Sequence, residues 1–270
     1  MNRYGGPYNV APPDCTCHGR TAFLPAASTL VVADLHAGRA AATNVGLLLN
    51  ERRDLLDRLG TAIDETGPET VVFAGDLLHR FGAPSERTAG TVRALAGAVR
   101  AAGARPVAIA GNHDAGLARV WPGPVHDTYR LDDDTLVCHG HEGVDEAAER
   151  YVCGHLHPAI EIEGRKRDCF LYDPAGYRER PTLVLPAFST FAAGLRIERR
   201  DAVDSPLVPD LGAVRPGVVD SVAPRATGSR GVAPRARENR PEADDTEAET
   251  GDPETLWFPP LADLRSHLRR

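Results

Sequence analysis

The stretch PVAIAGNHDAGL, residues 106–117, joins a short apolar run to a cluster of polar residues. Its first half has the continuous apolar character of a strand that is buried on both faces of a sheet. Asn112, His113 and Asp114 follow directly, although Asn is a poor strand residue and an unpaired buried His is costly. The polar triplet is therefore either a turn or a functional site, and the ends of the other strands decide between the two.

Two earlier apolar runs have the same character, TLVVAD at 29–34 and TVVFAGD at 70–76. Segments with helical periodicity lie between the runs, at 51–63 and at 85–103, and Ser85 is suited to cap the second helix. Alternation of strand and helix predicts parallel βαβ units and an α/β fold.

The pattern changes after residue 131, where short apolar runs follow one another with short connections. Several of them alternate apolar and polar residues, which is typical of antiparallel strands with one exposed face. This half predicts a second, more antiparallel sheet. Its strands are expected at 135–140, 150–155, 159–163, 169–172, 182–186 and 194–198.

Composition divides the chain into four parts. Residues 1–21 are rich in Gly and Pro and predict a flexible N-terminal segment. Residues 22–200 carry the folded domain, whereas 201–254 are rich in Pro, Gly, Ala and charged residues and predict a disordered excursion. Aromatic and apolar residues return at 255–270, which predicts a C-terminal segment that docks on the core.

The bulk numbers exclude some classes of protein. A net charge of -7 over 270 residues does not suit a general nucleic-acid coat, although a local basic patch such as EGRKRD at 163–168 remains compatible with one contact. Five Cys, an odd number, do not make a disulfide framework. Neither a leader segment nor a membrane span is apparent in the sequence, so a cytoplasmic protein without membrane contact is expected.

Five apolar runs end in Asp, Asn or His, with Gly beside them. In α/β sheets ligands bind outside the carboxyl ends of strands, and residues i and i+2 of an extended chain project to the same side. A single such end occurs by chance, but five in order predict one shared site rather than separate polar turns. The polar residues are Asp34 and His36, then Asp76, then Asn112 and His113, then His139, and finally His155 and His157.

Mixed imidazole and carboxylate ligands suit transition ions such as Mn, Fe or Zn. Seven ligands drawn from these eight residues exceed the needs of one tetrahedral ion, and two ions that share a carboxylate use them better. Paired ions are a recurrent device for the hydrolysis of phosphate esters. The set therefore predicts a dinuclear metal site.

The motifs DxH (34–36), GD (75–76), GNHD (111–114), HG (139–140) and GHxH (154–157) occur in this order. Over residues 22–200 the chain thereby resembles the calcineurin-like metallophosphoesterase superfamily. It is most similar to the ICC-like, DNA-ligase-associated branch, on the strength of ADLHAG, GDLLHRFG, GHLHPAI, LPAFSTFAAG and LWFPPLADLR. The resemblance implies a four-layer αββα sandwich with two mixed sheets. It also implies two divalent ions, with Mn²⁺ as the first choice and Fe or Zn as alternatives.

The resemblance assigns a role to each motif residue. His113 is the non-ligand histidine near the leaving oxygen, and Asp114 orients it. His79 stands where many relatives carry Asp or Asn. His79 and also His141 are expected to contact the metal ligands or the substrate. The implied metal ligands are Asp34, His36 and His157 for the first ion, Asn112, His139 and His155 for the second, and Asp76 as a bridge.

The predicted reaction is hydrolysis of a phosphodiester by a metal-bound hydroxide, with His113 giving a proton to the leaving oxygen. Nucleic acid and nucleotides are the substrate classes that the branch suggests. Two alternatives stay open at this point. One is a phosphomonoesterase for a nucleotide or a small phosphorylated metabolite, and the other is a non-catalytic metal-binding scaffold of the same fold.

Overall fold

A computed structural model describes residues 11–39, 48–79, 83–192, 194–197, 204–219 and 255–268. The helices within these ranges are α1 (Leu48–Thr66), α2 (Glu86–Ala101) and α3 (Leu261–Leu268). The strands are β1 (Thr16–His18), β2 (Thr21–Leu24), β3 (Thr29–Val32), β4 (Thr70–Ala74), β5 (Arg105–Ile109), β6 (Val125–His126), β7 (Thr128–Arg130), β8 (Thr135–Cys138), β9 (Arg150–Cys153), β10 (Pro158–Ile162), β11 (Arg165–Asp173), β12 (Thr182–Val184), β13 (Leu195–Arg196), β14 (Arg215–Val218) and β15 (Leu256–Trp257).

The first sheet has the order β1-β2-β3-β4-β5-β6. Strands β3 to β6 are parallel, which confirms the predicted βαβ units. The outer face packs against α1 through Leu55 and Leu59 and against α2 through Val92 and Leu95. The predicted cap of α2 is confirmed, because the Ser85 side chain accepts a hydrogen bond from the backbone of the helix's first turn.

The second sheet has the order β13-β10-β11-β12-β9-β8-β7, with β14 and β15 added beside β11. It is mixed, because β8, β9 and β12 are parallel neighbours while β10, β11 and β12 alternate in direction. The inner faces of the sheets share one core, in which Val72 and Ile109 of the first sheet meet Val152 and Phe170 of the second. The predicted fold class, with two mixed sheets, is therefore confirmed.

Irregular chain contributes most of the fourth layer. The outer face of the second sheet is covered in the described residues by the chain around Leu207 and Val214 and by the short α3 with Leu261, and all three side chains are buried. The C-terminal segment lies here as well, since β15 pairs with β14. No helix among the described residues is both long and apolar enough to cross a bilayer.

Both predicted flexible segments contain ordered chain. In the N-terminal segment, β1 pairs with β2, and Cys15 and Cys17 pack against the core between the sheets. In the predicted excursion, residues 204–219 include β14 and bury Leu207 and Val214. The sequence does not reveal the order of 204–219, because the few apolar residues there lack a regular period; they are buried because they meet an apolar sheet face. Residues 1–10 and 220–254 lie outside the described residues.

Candidate metal centre

The polar residues predicted at five strand ends are brought together at one edge shared by both sheets. Strands β3, β4 and β5 of the first sheet and β8 and β9 of the second end there. Backbone hydrogen bonds join the loops that follow. His36 N–H donates to the Asp76 carbonyl over 2.8 Å, and Gly154 N–H donates to the His139 carbonyl over 3.0 Å. These hydrogen bonds join neighbouring loops at the edge, and the loops that follow β3, β4, β5, β8 and β9 are called the crest below.

The backbone at the crest is strained. Five non-Gly residues have positive φ, a region that most side chains avoid and that costs of order 1–3 kcal/mol per residue. The expectation that extended chain aims residues i and i+2 at one centre is therefore wrong, since left-handed turns direct these side chains. The residues are Asp34 (φ 58°), His36 (47°), Asp76 (50°), His155 (69°) and His157 (43°).

Two glycines allow the loops to crowd around the polar side chains, as the sequence suggested. A Cβ atom on Gly75, whose φ is +81°, would lie 2.3 Å from Nδ1 of His139. A Cβ atom on Gly154 would lie 2.5 Å from Oδ2 of Asp34. Neither space admits a side chain, so these glycines are needed for the close approach of the crest loops.

One group of four residues converges tightly. Ligand atoms of Asp34, His36, Asp76 and His157 all lie within 4.8 Å of one another. Nε2 of His36 is 3.0 Å from Nε2 of His157, and the latter is 3.3 Å from Oδ1 of Asp34. Nε2 of His36 is also 3.9 Å from Oδ2 of Asp76. Two imidazole nitrogens and two carboxylates therefore point at one small space.

A second group lies on the other side of Asp76. Nε2 of His139 is 3.5 Å from Oδ1 of Asp76 and 3.0 Å from Oδ1 of Asn112. Nδ1 of His139 is 3.1 Å from the Ala74 carbonyl and is the nitrogen that donates. Nε2 then presents a lone pair to an amide oxygen. Two facing lone pairs at this distance repel unless a cation lies between them.

His155 completes the second group and depends on a contact that the sequence did not predict. Its ring centre is 5.0 Å from that of His139. Nε2 of His155 is 3.1 Å from the backbone carbonyl of Asp204, to which it donates, so Nδ1 carries the lone pair. Ser205 holds this segment in place through a 2.6 Å hydrogen bond to the Gly140 carbonyl. A backbone contact of this kind has no sequence signal beyond the apolar residues that follow it.

Burial controls the charges at the crest. It lowers the pKa of His36 to about 3 and that of His139 to about 4, so both rings are neutral at pH 7. Burial, and then the negative charge of Asp34, raise the pKa of Asp76 to about 8. Burial would also raise the pKa of Asp34, but the neighbouring histidines, His157 first, hold it below its ordinary value.

His113 and Asp114 lie in different parts of the crest. His113 lies beside the first group, with Nε2 3.9 Å from Oδ2 of Asp76. The Asp114 carboxylate accepts hydrogen bonds from the backbone N–H groups of Leu78 (2.8 Å) and Gly111 (3.0 Å), and from that of Leu77. Asp114 therefore joins two crest loops. A buried carboxylate needs hydrogen-bond donors, and the backbone N–H groups of these loops supply them.

His79 and His141 also lie at the crest. The His79 ring is 5.8 Å from His36 and stacks on His113 at 6.5 Å between ring centres. The His141 ring is 5.2 Å from His139 and 6.0 Å from His155. Each therefore flanks one of the two groups, His79 the first and His141 the second.

The donor set fits divalent cations. Neutral imidazoles and carboxylates are the ligands that transition ions prefer. The ion pairs of Asp34 and Asp76 within the described residues are all to histidines. A cation at each group would ionise Asp76 and separate the facing lone pairs of His139 and Asn112.

Comparison with known proteins gives the same assignment. The sequence profile of the calcineurin-like phosphoesterases matches residues 27–158, which contain every crest residue predicted from the sequence. Residues 27–158 form a calcineurin-like phosphoesterase domain. With this domain the protein is a metallophosphoesterase, a hydrolase of phosphate esters, and the domain's family uses divalent metals.

Two solved structures are similar to this metallophosphoesterase. The nuclease MPE from Pseudomonas putida has 25% sequence identity and a TM-score of 0.51, over 74% of this chain and 87% of that chain. Yfce, a phosphoesterase from E. coli, has 16% identity and a TM-score of 0.37, over 71% of this chain and 87% of that chain. No curated protein matches the sequence significantly.

Proposed function

We propose that this metallophosphoesterase is a phosphodiesterase that uses two divalent ions. The observation that carries the proposal is the position of Asp76 between the two groups of side chains. One of its carboxylate oxygens faces His36 and the other faces His139, at 3.9 and 3.5 Å. The proposed ligands are Asp34, His36 and His157 for the first ion, Asn112, His139 and His155 for the second, and Asp76 for both.

Mn²⁺ is the ion proposed first, with Fe or Zn as alternatives that the same donors would accept. When bound, such ions neutralise phosphate oxygens and lower the pKa of water, which supplies a nucleophile near neutral pH. The chain orients these donors through its backbone. Carbonyls of Ala74 and Asp204 fix the tautomers of His139 and His155.

His113 is proposed as the general acid. It adjoins Asn112 but points toward Oδ2 of Asp76, so it is close to the first group without belonging to the four converging ligands. Its ring is partly exposed, as a group that must reach a substrate has to be. A proton delivered from His113 to the leaving oxygen would contribute about 10²–10⁴-fold to the rate.

Nucleic acid is the proposed substrate class. The support is the similarity to the nuclease MPE, together with the motifs shared with the DNA-ligase-associated branch. The five free cysteines are consistent with a proposed cytoplasmic location.

The test compares a diester with a monoester. Metal-free protein is loaded with Mn²⁺ and assayed on bis-p-nitrophenyl phosphate and on p-nitrophenyl phosphate, with Asp34→Asn as the ligand variant. We expect a higher kcat/KM on the diester and loss of both activities in the variant. A preference for the monoester would indicate the phosphomonoesterase alternative, and inactivity on both with metal bound would indicate a scaffold.

A further inference from the structure

The hairpin of β10 and β11 carries three consecutive cations that the metal centre does not use, Arg165, Lys166 and Arg167. Arg165 and Lys166 are exposed and Arg167 is half-buried. The ion pairs of the surrounding described residues are those of Arg20 with Asp168 and of Arg196 with Glu161. Arg165 and Arg167 therefore form no ion pair with a carboxylate of the described residues.

These cations line two adjoining depressions. The first has a volume of about 210 Å³ and includes Arg20, Arg165, Lys166 and Arg167 in its wall. Arg165 and Arg167 also line the second, of about 450 Å³, together with Leu256 and Phe258. Glu163 is the acidic residue that lines the second depression.

The second depression combines charge with apolar surface. Arg165 and Arg167 are two residues apart on one strand, so they lie on the same face and roughly 7 Å apart. Leu256 is 49% exposed and is the most exposed large apolar side chain of the described residues. An aromatic ring and two guanidinium groups in one depression suit a nucleotide, whose base stacks and whose phosphate takes bidentate hydrogen bonds.

Strand β10 runs from the metal centre to the second depression, which Ile162 lines. β10 begins immediately after His157, and Ile162 at its far end is the register partner of Arg165. Five residues of about 3.3 Å each place Arg165 roughly 16 Å from His157. At the near end, Arg20 donates to the Ala187 carbonyl over 2.7 Å, and Ala187 precedes the loop that bonds to the backbone of Asp34.

We propose that Arg165, Arg167 and Phe258 bind a single-stranded segment of a nucleic-acid substrate, a few nucleotides from the phosphate at the metal centre. This rests on the proposed phosphodiesterase function. A net charge of -7 repels a polyanion from most of the surface, so a long substrate needs a local cationic contact. Membrane phospholipid is disfavoured because the site is concave and its aromatic ring lies half-buried inside it.

The test measures binding separately from catalysis. The full chain, metal-free so that nothing is cleaved, is titrated into a labelled oligothymidylate at several salt concentrations. We expect Arg165→Gln/Arg167→Gln to raise Kd about tenfold or more and to reduce the salt slope by about 1.4, at 0.7 per phosphate contact. Phe258→Leu should raise Kd about fivefold or more. Arg53→Gln/Arg93→Gln, on the exposed outer face of α1 and α2, is the matched control.

The outcomes separate this proposal from the proposed function. All variants should hydrolyse bis-p-nitrophenyl phosphate like the wild type. The binding site would be refuted if the hairpin and Phe258 variants bound oligothymidylate like the wild type, or if the control variant lost as much affinity as they do. The proposed phosphodiesterase function would stand in either case. If the hairpin and Phe258 variants bound anionic phospholipid vesicles more weakly than the wild type but bound oligothymidylate equally well, the surface would be assigned to membranes. Wild-type protein inactive on the diester, with normal oligonucleotide binding, would refute the function and keep the binding site.

Discussion

Asp76 is the residue whose substitution separates charge from geometry at the crest. Asn keeps its shape but not its charge, so we expect Asp76→Asn to lose nearly all activity and to bind both ions more weakly. The metal-free variant should be more stable than the wild type above pH 7, because a buried amide needs no proton. Calorimetry and metal analysis of the two proteins measure both effects.

The sign of the pH effect follows from the raised pKa of Asp76. Between its ordinary value near 4 and the folded value of about 8, the folded state holds a proton that the unfolded state releases. Metal-free wild type therefore loses stability as the pH rises to about 8, by up to about 1.4 kcal/mol per pH unit. Above pH 7, His36 and His139 contribute little, because burial lowers their pKa and their ordinary value is about 6.5. Burial would also lower the pKa of His157, but Asp34 outweighs burial and the pKa is raised, and this histidine is present in both proteins. Parallel stability curves for wild type and Asp76→Asn between pH 7 and 8.5 would refute the burial argument.

His113→Ala should abolish turnover without emptying the metal centre. We expect two bound ions and a rate loss of about 10²–10⁴-fold on substrates with alkoxide leaving groups. The loss should be smaller with p-nitrophenolate, which needs little protonation. Equal losses on the two substrates would point to phosphate binding instead, and loss of one ion would make His113 a ligand.

Which residues meet at the crest could be predicted from the order of the motifs, but how they meet could not. The left-handed φ of Asp34 and His157 depends on loops of two sheets closing on each other. The partners of Asp114 likewise depend on the backbone of residues 77 and 78, which lie far away in sequence. Residue type carries ligand chemistry, whereas backbone partners arise only from the assembled fold.

At the scale of elements, the segment 204–219 is structural. Leu207 is fully buried on the second sheet, so we expect Leu207→Ala to cost about 2–5 kcal/mol in unfolding free energy. Deletion of 205–219 should also disturb His155, whose ring donates to the neighbouring Asp204 carbonyl. Chemical denaturation measures the first effect. A change below about 0.5 kcal/mol for Leu207→Ala would show that this segment does not pack as described.

Strands β3, β4 and β5 were predictable because strands buried on both faces form continuous apolar runs. Strand β14 was not, because its sequence RPGV contains Pro and Gly, which are depleted in strands. Gly217 is tolerated there for a reason visible only in three dimensions. A Cβ atom on it would lie 2.7 Å from the ring of Trp257, so the strand accepts the indole only because this position lacks a side chain.

At the scale of the whole molecule, both sheets end at the metal centre, so metal binding should stabilise the entire domain. We expect Mn²⁺ at 100 times its Kd to add about 2.7 kcal/mol and to raise Tm by roughly 5–10 °C. EDTA should reverse the shift. In the Asp34→Asn control, Mn²⁺ should leave the Tm unchanged. An unchanged Tm in the wild type would mean that the crest does not hold the ion.

The most direct test of the central claim is a titration of metal-free protein with Mn²⁺, with bound metal and hydrolysis of bis-p-nitrophenyl phosphate measured on the same samples. The account predicts that activity is absent without metal and is complete when two ions are bound per chain. Full activity in metal-free protein, or two bound ions without hydrolysis, would contradict it.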